Sequence, residues 1–250
     1  DFEDRKVSVS LLNNFFECPW KWYFRNLLQL PEAKSLSLEF GNRVHSAIDK
    51  ILKLKKTPTQ KDLEEIVEGD KGVLKVVSMW VESRLPEIAE RRENEQSVSV
   101  VDERFPRFHI YGKIDLIEHI DAKNVRVTDF KTGGVRKKSE IEKIDDDGRL
   151  SGYMRQLAMY SYLLKQSPKW KVEVSGSRLE FLEAKVGGES MYDTVIDKEQ
   201  IDLLIQDIKD YDQLIKTGDW TSRPCNYNSY GKVPPPAGGC EYCKMSEIYK

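Results

Sequence analysis

Three features of the chain predict an α/β sandwich built around a mixed sheet: helix-spaced apolar residues up to about residue 92, a two-residue alternation beginning at Ser97, and a return to helix, strands and helix after residue 150. Composition fits a globular fold. The chain has 250 residues, 40 basic and 42 acidic side chains for a net charge of -2, and 39% hydrophobic residues. This is neither a disordered polar tract nor a membrane protein. No apolar run approaches the roughly 18 residues of a membrane helix, and the N-terminus lacks a basic, apolar, small-residue signal pattern. A cytoplasmic address is expected by default. The first residue is Asp1 rather than Met, which suggests a longer polypeptide. A core of this size does not need disulfide staples, so the four cysteines call for another explanation.

The elements follow in order. Residues 8–30 carry Leu11, Leu12, Phe15, Phe16, Tyr23, Phe24 and Leu27 near helical spacing, with Ser8 or Ser10 able to cap. Pro19 breaks that run into two short helices meeting at Cys18 and Pro19. Residues 37–56 form a better helix, with Phe40, Val44, Ala47, Ile48, Ile51 and Leu52 on one stripe. Segments 60–68 and 71–92 continue the helical character. From Ser97 the runs SVSVVDERF, RFHIYGKIDLIEHI and NVRVTDFKT are rich in β-branched residues and predict three successive antiparallel strands. The charged, Gly-containing stretch 133–148 reads as a loop. A helix over 150–166, strands near 170–184 and 190–196, and a helix over 198–216 come next. The Pro- and Gly-rich tail from Gly218 to Lys250 is expected to be irregular for most of its length. One folded unit is expected, with a helical part at 1–95, an α/β core at 96–216 and a Cys-bearing tail at 217–250 that forms a lobe with the head.

Alternation places Asp129 and Lys131 on the strand face that also carries Val125 and Val127, so the face runs from apolar to charged. The preceding strand offers Asp115, between Ile114 and Leu116, which are expected on its other face. Two aspartates on adjacent strands can share a hard divalent cation, Mg2+ or Mn2+, with Lys131 beside it. Such a group suits phosphodiester hydrolysis, because the ion polarises the phosphoryl oxygen and acidifies water while a lysine stabilises developing charge. An Asp-x-Lys triplet by itself also describes an ordinary ion pair at a strand end.

Further segments separate the two. CPWKWYFR (18–25), FGNRVHSAI (40–48), GKIDLIE (112–118), DFKTG (129–133) and QLAMY (156–160) occur in the order seen in the PD-(D/E)XK nuclease superfamily, and the chain resembles its RecB-like branch of helicase-nucleases and CRISPR-adaptation nucleases. The superfamily's proline is Ile114 here, a position that branch commonly leaves non-proline. The resemblance implies one restriction-endonuclease-like domain over 1–250 and a metal-dependent deoxyribonuclease acting as an exonuclease in DNA repair, with a fused or associated helicase as partner. It implies Asp115 and Asp129 as metal carboxylates, the carbonyl of Phe130 and His45 as further ligands, and Lys131 as the catalytic lysine. Gln156 and Tyr160, one helical turn apart, match a Gln-x-x-x-Tyr motif near bound DNA. Glu103 and Glu118 are further acidic candidates, while His109 and His119 have no supporting motif. A catalytically silent DNA-binding or scaffold module of the same fold and a structural zinc-binding protein are the alternatives.

The resemblance also implies that Cys18, Cys225, Cys240 and Cys243 hold a 4Fe-4S cluster clasping tail to head. The usual tail has a cysteine about six residues after the Cys-x-x-Cys pair. That position is Tyr249 here, and Cys225 lies upstream of the pair instead. Either Cys225 supplies the missing ligand, or the cluster is lost or incomplete, or the metal is Zn2+, or the cysteines are free.

DNA requires positive charge. Residues 20–56 hold eight basic side chains against three acidic ones, interleaved with Trp20, Trp22, Tyr23 and Phe24. The aromatics are expected mostly in the core and the lysines on a solvated face. Arg136, Lys137 and Lys138, directly after the catalytic strand, are the better candidates for phosphate contact.

Overall fold

The computed structural model describes residues 5–32, 35–54, 56–183, 190–227 and 239–247. β3 (Phe108–His119) is the hub of a six-stranded sheet. Along one edge β2 (Arg92–Val100) runs antiparallel, from Arg92 opposite Glu118 to Val100 opposite Ile110. Two strands share the other edge. β1 (Arg5–Val7) lies parallel to Phe108–Ile110, and β4 (Asn124–Lys131) runs antiparallel to Leu116–His119. Residues 111–115 fall in the gap between them. β5 (Glu173–Phe181) lies parallel to β4, and β6 (Met191–Thr194) completes the sheet antiparallel to β5. The parallel β4–β5 pair needs a crossover, which α6 (Lys138–Ile141) and α7 (Gly152–Gln166) provide.

Helices cover both faces, as the sequence predicts. On one face α1 (Val9–Glu17), α7 and α8 (Lys198–Thr217) bury Leu12, Phe15, Leu157 and Ile208 against Ile114, Val125, Val127 and Leu179. On the other, α3 (Leu36–Lys53), α4 (Gln60–Ile66) and α5 (Lys71–Ser83) bury Val44, Ile48, Val77 and Trp80 against Leu116, Phe130 and Leu182. Among the described residues no helix is long and apolar enough to cross a membrane. Polar ties reinforce the layers. Asp207 on α8 accepts from Arg155 Nε (2.7 Å) on α7 and Arg149 Nη1 (2.7 Å) ahead of it. Glu180 on β5 accepts from Trp80 Nε1 (3.0 Å) and Arg84 Nε (3.1 Å) at the end of α5.

A third, small cluster joins α2 (Pro19–Trp22) to α9 (Glu241–Glu247), the Cys-bearing lobe expected from head and tail. The break before Pro19 is as predicted: Cys18 is extended (φ -159°) between α1 and α2, and Ser8 caps α1 by accepting from Leu11 N (3.3 Å). A π-helical turn (Tyr23–Leu27) follows α2.

Several expected boundaries move. The helix expected over 71–92 ends at Ser83, because Pro86 cannot continue it and a 3-10 turn (Leu85–Glu87) intervenes. β2 then starts at Arg92, ahead of Ser97. Its first half, Arg92 to Gln96, has no apolar residue to mark the two-residue period. Asp102 to Arg107 form a turn rather than strand. The stretch 133–148 contains α6, and an isolated bridge pairs Ile144 with Leu150. β1 is too short for its period to be visible. Ile114 and Leu116 do not share a core: Ile114 packs with the α7 side and Leu116 with the α3–α5 side. The strand reorients there, where β4 joins it and Glu95 opposite Asp115 takes a left-handed conformation (φ 54°).

Candidate active site

β3 and β4 pair no further than Leu116 and Thr128; beyond that, β4 continues against β5 alone. The splay opens a cleft of about 650 Å3. Asp115 bridges its floor: Oδ2 accepts from the Phe130 amide at 2.8 Å. Gly41 and His45 of α3, Glu95 of β2, Lys113 and Asp115 of β3, Asp129, Phe130 and Lys131 of β4, and Gln156 and Tyr160 of α7 line the space.

Two close approaches place the helices. A Cβ at Gly112 would lie 2.7 Å from Leu163 Cδ1 and 3.5 Å from the Tyr160 ring, so a side chain here would make Leu163 shift for α7 to keep its seat on β3. A Cβ at Gly41 would lie 2.7 Å from Thr132 Oγ1 at the end of β4. One turn later on the same helix, His45 reaches the cleft.

The expected residues fall into two groups. His45 Nδ1 lies 3.5 Å from Asp115 Oδ1, and Glu95 joins them, the three offering donor atoms within 4.8 Å of one another. Asp129 stands outside this trio. Its Oδ1 accepts from Gln156 Nε2 (2.6 Å) and the Tyr160 hydroxyl (3.0 Å), and its Oδ2 pairs with Lys131 Nζ at 2.8 Å. Lys131 Nζ also donates to Gln156 Oε1 (2.6 Å). Gln156 and Tyr160 thus turn toward the heads of Asp129 and Lys131. Phe130 sends its ring between the edges of His45 and Trp80.

Glu95 is not among the residues expected from the sequence, because residues 93–96, between the expected helix and the strand from Ser97, are too polar to show a period; its acidity opposite GKID is the signal that could have found it. Lys113 is its ion-pair partner. The other acidic candidates go elsewhere. Glu118 is fully buried and takes both Arg126 nitrogens (2.8 and 2.9 Å), and Glu103 is exposed in the turn after β2. His109 is exposed, while His119 pairs with Glu93 (3.1 Å) and stacks on Trp170.

Electrostatics mark the cleft. Burial, then the charge of Asp129, pushes the Asp115 carboxyl above its ordinary range. Burial disfavours the His45 imidazolium, but the adjoining Asp115 carboxylate outweighs it and raises the pKa. Burial likewise opposes the Lys131 ammonium, and Asp129 overcomes it, so Lys131 stays protonated. Burial and the two aspartates raise the Tyr160 hydroxyl well above normal, which keeps it a donor. Two crowded carboxylates with an imidazole and a third acid beside them fit a hard divalent cation, which their excess negative charge would attract.

Arg136, Lys137 and Lys138 are exposed beyond β4 and do not line the cleft. The basic head is less available than its charge suggests. Lys21 pairs with Glu17, Arg25 with Glu32, Arg43 with Asp70, Lys50 with Glu68, Lys53 with Asp49 and Lys56 with Asp62. Lys34 and Lys55 lie outside the described residues. Trp22 and Phe24 are buried, and Trp20 and Tyr23 pack on Trp220.

The four cysteines converge. Cys18, Cys225, Cys240 and Cys243 place their sulfurs within 4.8 Å of one another. Burial raises the Cys18 thiol strongly and pushes Cys243 up to about 11. Tyr249 lies outside the described residues.

No curated protein matches the chain significantly. Among solved structures, a Eubacterium rectale protein described as a candidate exonuclease is 12% identical, with 96% of this chain covering 87% of that one at a TM-score of 0.55, a likeness of fold. The structure of SSO0001 is 16% identical over 80% of this chain and 84% of that one, at a TM-score of 0.33. A sequence model of the PD-(D/E)XK nuclease superfamily matches residues 6–248, nearly the whole chain and every element of the cleft. The chain therefore belongs to the PD-(D/E)XK nuclease superfamily, and its mixed sheet flanked by helices is the restriction-endonuclease-like fold.

Proposed function

We propose that this chain is a Mg2+- or Mn2+-dependent deoxyribonuclease of the RecB-like branch. It acts as one domain over 1–250 on single-stranded or duplex DNA ends, as an exonuclease in DNA repair, alone or with a fused or associated helicase. The observation that carries this reading is the meeting, in one cleft, of the His45, Glu95 and Asp115 trio with the Lys131, Asp129, Gln156 and Tyr160 network.

His45, Asp115 and Glu95 would hold the ion, with Asp129 and the Phe130 carbonyl alongside. When bound, the ion supplies Lewis-acid polarisation of the phosphoryl group and acidifies water. The rest is done by the chain. Lys131, kept protonated by Asp129, stabilises the charge that develops on the phosphoryl oxygens. Gln156 accepts from Lys131 and donates to Asp129, which holds both in orientation, and Tyr160 fixes the second contact to Asp129. Arg136, Lys137 and Lys138 extend the reach to DNA phosphates.

The test is cleavage of end-labelled single- and double-stranded DNA with Mg2+, Mn2+ or chelator. Asp129→Ala and Lys131→Ala are each expected to lower the rate by a factor on the order of 10^3 while leaving the fold intact. Metal-stimulated cleavage that survives in both variants refutes the assignment. DNA binding without cleavage by the unaltered protein would instead mark a silent binding module.

A further inference from the structure

The geometry of the Cys-bearing lobe points to a single tetrahedral Zn2+ ion as the occupant of the four-thiol site, in place of the iron–sulfur cluster that the resemblance implies. This rests on the lobe alone and is independent of the nuclease reading.

Sulfur separations carry the inference. Cys240 Sγ lies 3.6 Å from Cys18 Sγ and 3.8 Å from Cys243 Sγ, and Cys18 Sγ lies 3.7 Å from Cys243 Sγ. Tetrahedral geometry with Zn–S bonds of about 2.3 Å sets neighbouring sulfurs about 3.8 Å apart. The three sulfurs of Cys18, Cys240 and Cys243 therefore have the spacing of ligands on one zinc ion, and the Cys225 sulfur lies within 4.8 Å of each of them. In a 4Fe-4S cluster each thiolate is bonded to a different iron of the cube, so an iron–iron edge is added between the sulfurs and they stand out of contact. Thiols in mutual contact leave no room for that. They are not disulfides either, since the S–S bond is about 2.05 Å, and all four cysteines are free.

The surrounding backbone is shaped to this closed arrangement. Gly239 has φ 84°, and a Cβ there would lie 2.6 Å from Cys243 Cβ and 2.9 Å from Cys243 Sγ. Only glycine lets the chain before Cys240 fold onto Cys243. The amide of Lys21 is directed at the Cys18 sulfur, and those of Tyr227 and Cys240 at the Cys225 sulfur. Such bonds spread thiolate charge toward the backbone, as outer partners of a metal ligand do. Cys225 completes the set from upstream of the Cys-x-x-Cys pair. The ion ties residue 18 to residue 243, joining α2 to α9.

Metal analysis of the full chain, purified with and without air, tests this. About one zinc per chain, no iron and colourless protein are expected. Replacement by Co2+ should give the visible absorption of a tetrahedral tetrathiolate. About four irons per chain with broad visible absorbance, metal-free protein with four reactive thiols, or a disulfide among the four would each overturn the proposal. Cys225→Ser should weaken zinc retention against a chelator by on the order of 100-fold or more, and Cys225→His should restore most of it. Unchanged retention in Cys225→Ser would remove Cys225 from the ligand set and overturn the four-thiol site. If that variant does not fold, the metal content of the unaltered protein still decides.

Discussion

At Asp115 burial, charge and geometry converge on one carboxylate. Its folded pKa is raised above the ordinary 3.8 by burial and by Asp129, so the folded state binds the proton more tightly than the unfolded one. Stability then falls as pH rises from about 3.9 through the folded value. His45 acts in the same direction. Its raised pKa contributes stability below the ordinary 6.5 that is lost as pH climbs through the folded value. Metal-free protein should lose stability as pH rises from about 4 through the raised folded values of Asp115 and His45, and Mn2+ should restore it, since the ion binds the folded state. Thermal denaturation with chelator and with Mn2+ across that range checks this; an equal gain from Mn2+ at both ends would count against the site. Asp115→Asn should raise metal-free stability at the upper end by about 1 kcal/mol while erasing the response to Mn2+.

At the scale of elements, the seat of α7 on β3 decides whether Gln156 and Tyr160 reach Asp129. Leu163, the nearest contact of a Cβ at Gly112, is fully buried, so its shift must be taken up by the surrounding core. Gly112→Val should therefore lift α7, lowering stability by about 1–3 kcal/mol and slowing cleavage more than the stability loss explains. Denaturant melts and cleavage rates measured on the same preparation check it, and a variant with normal activity would show that α7 is not positioned at this contact. The α7–α8 tie through Asp207 limits how far the helix can move, because Arg155 is 1% exposed and has its charge answered there.

For the whole molecule, the net charge of -2 conceals extensive pairing between the basic residues and their acidic neighbours. Most of the described basic residues of the head are ion-paired, and α8 spends Asp207, Asp210 and Asp212 on Arg149 and Arg107. Lys138 also has a neighbour, Glu142, at 3.6 Å, but the exposed run from Arg136 remains next to the end of β4. Replacing Arg136, Lys137 and Lys138 together by Ala should raise KM for DNA with kcat little changed. The slope of log affinity against log salt should flatten by about 2–3. An unchanged salt slope, measured by DNA-binding titration, would place the phosphate contacts elsewhere.

Much of this was legible in the sequence because periodicity is local. The spacing in residues 37–56 marks the stripe of α3, and alternation in VRVTDFKTG puts Val127, Asp129 and Lys131 on one face, where they are found. β1 and the first half of β2 were not legible, one too short and the other too polar to show a period. Local spacing was enough to order the longer helices and strands and to name the chemistry available: two aspartates, a lysine, a histidine and four thiols. Which of these meet was set by the fold. It grouped Asp115 with His45 and Glu95, gave Asp129 to Lys131, Gln156 and Tyr160, and brought sulfurs from residues 18 and 243 into contact. Such meetings depend on strand register, on the splay between β3 and β4 and on the crossover through α7, which join residues far apart in the chain and leave no trace in local spacing.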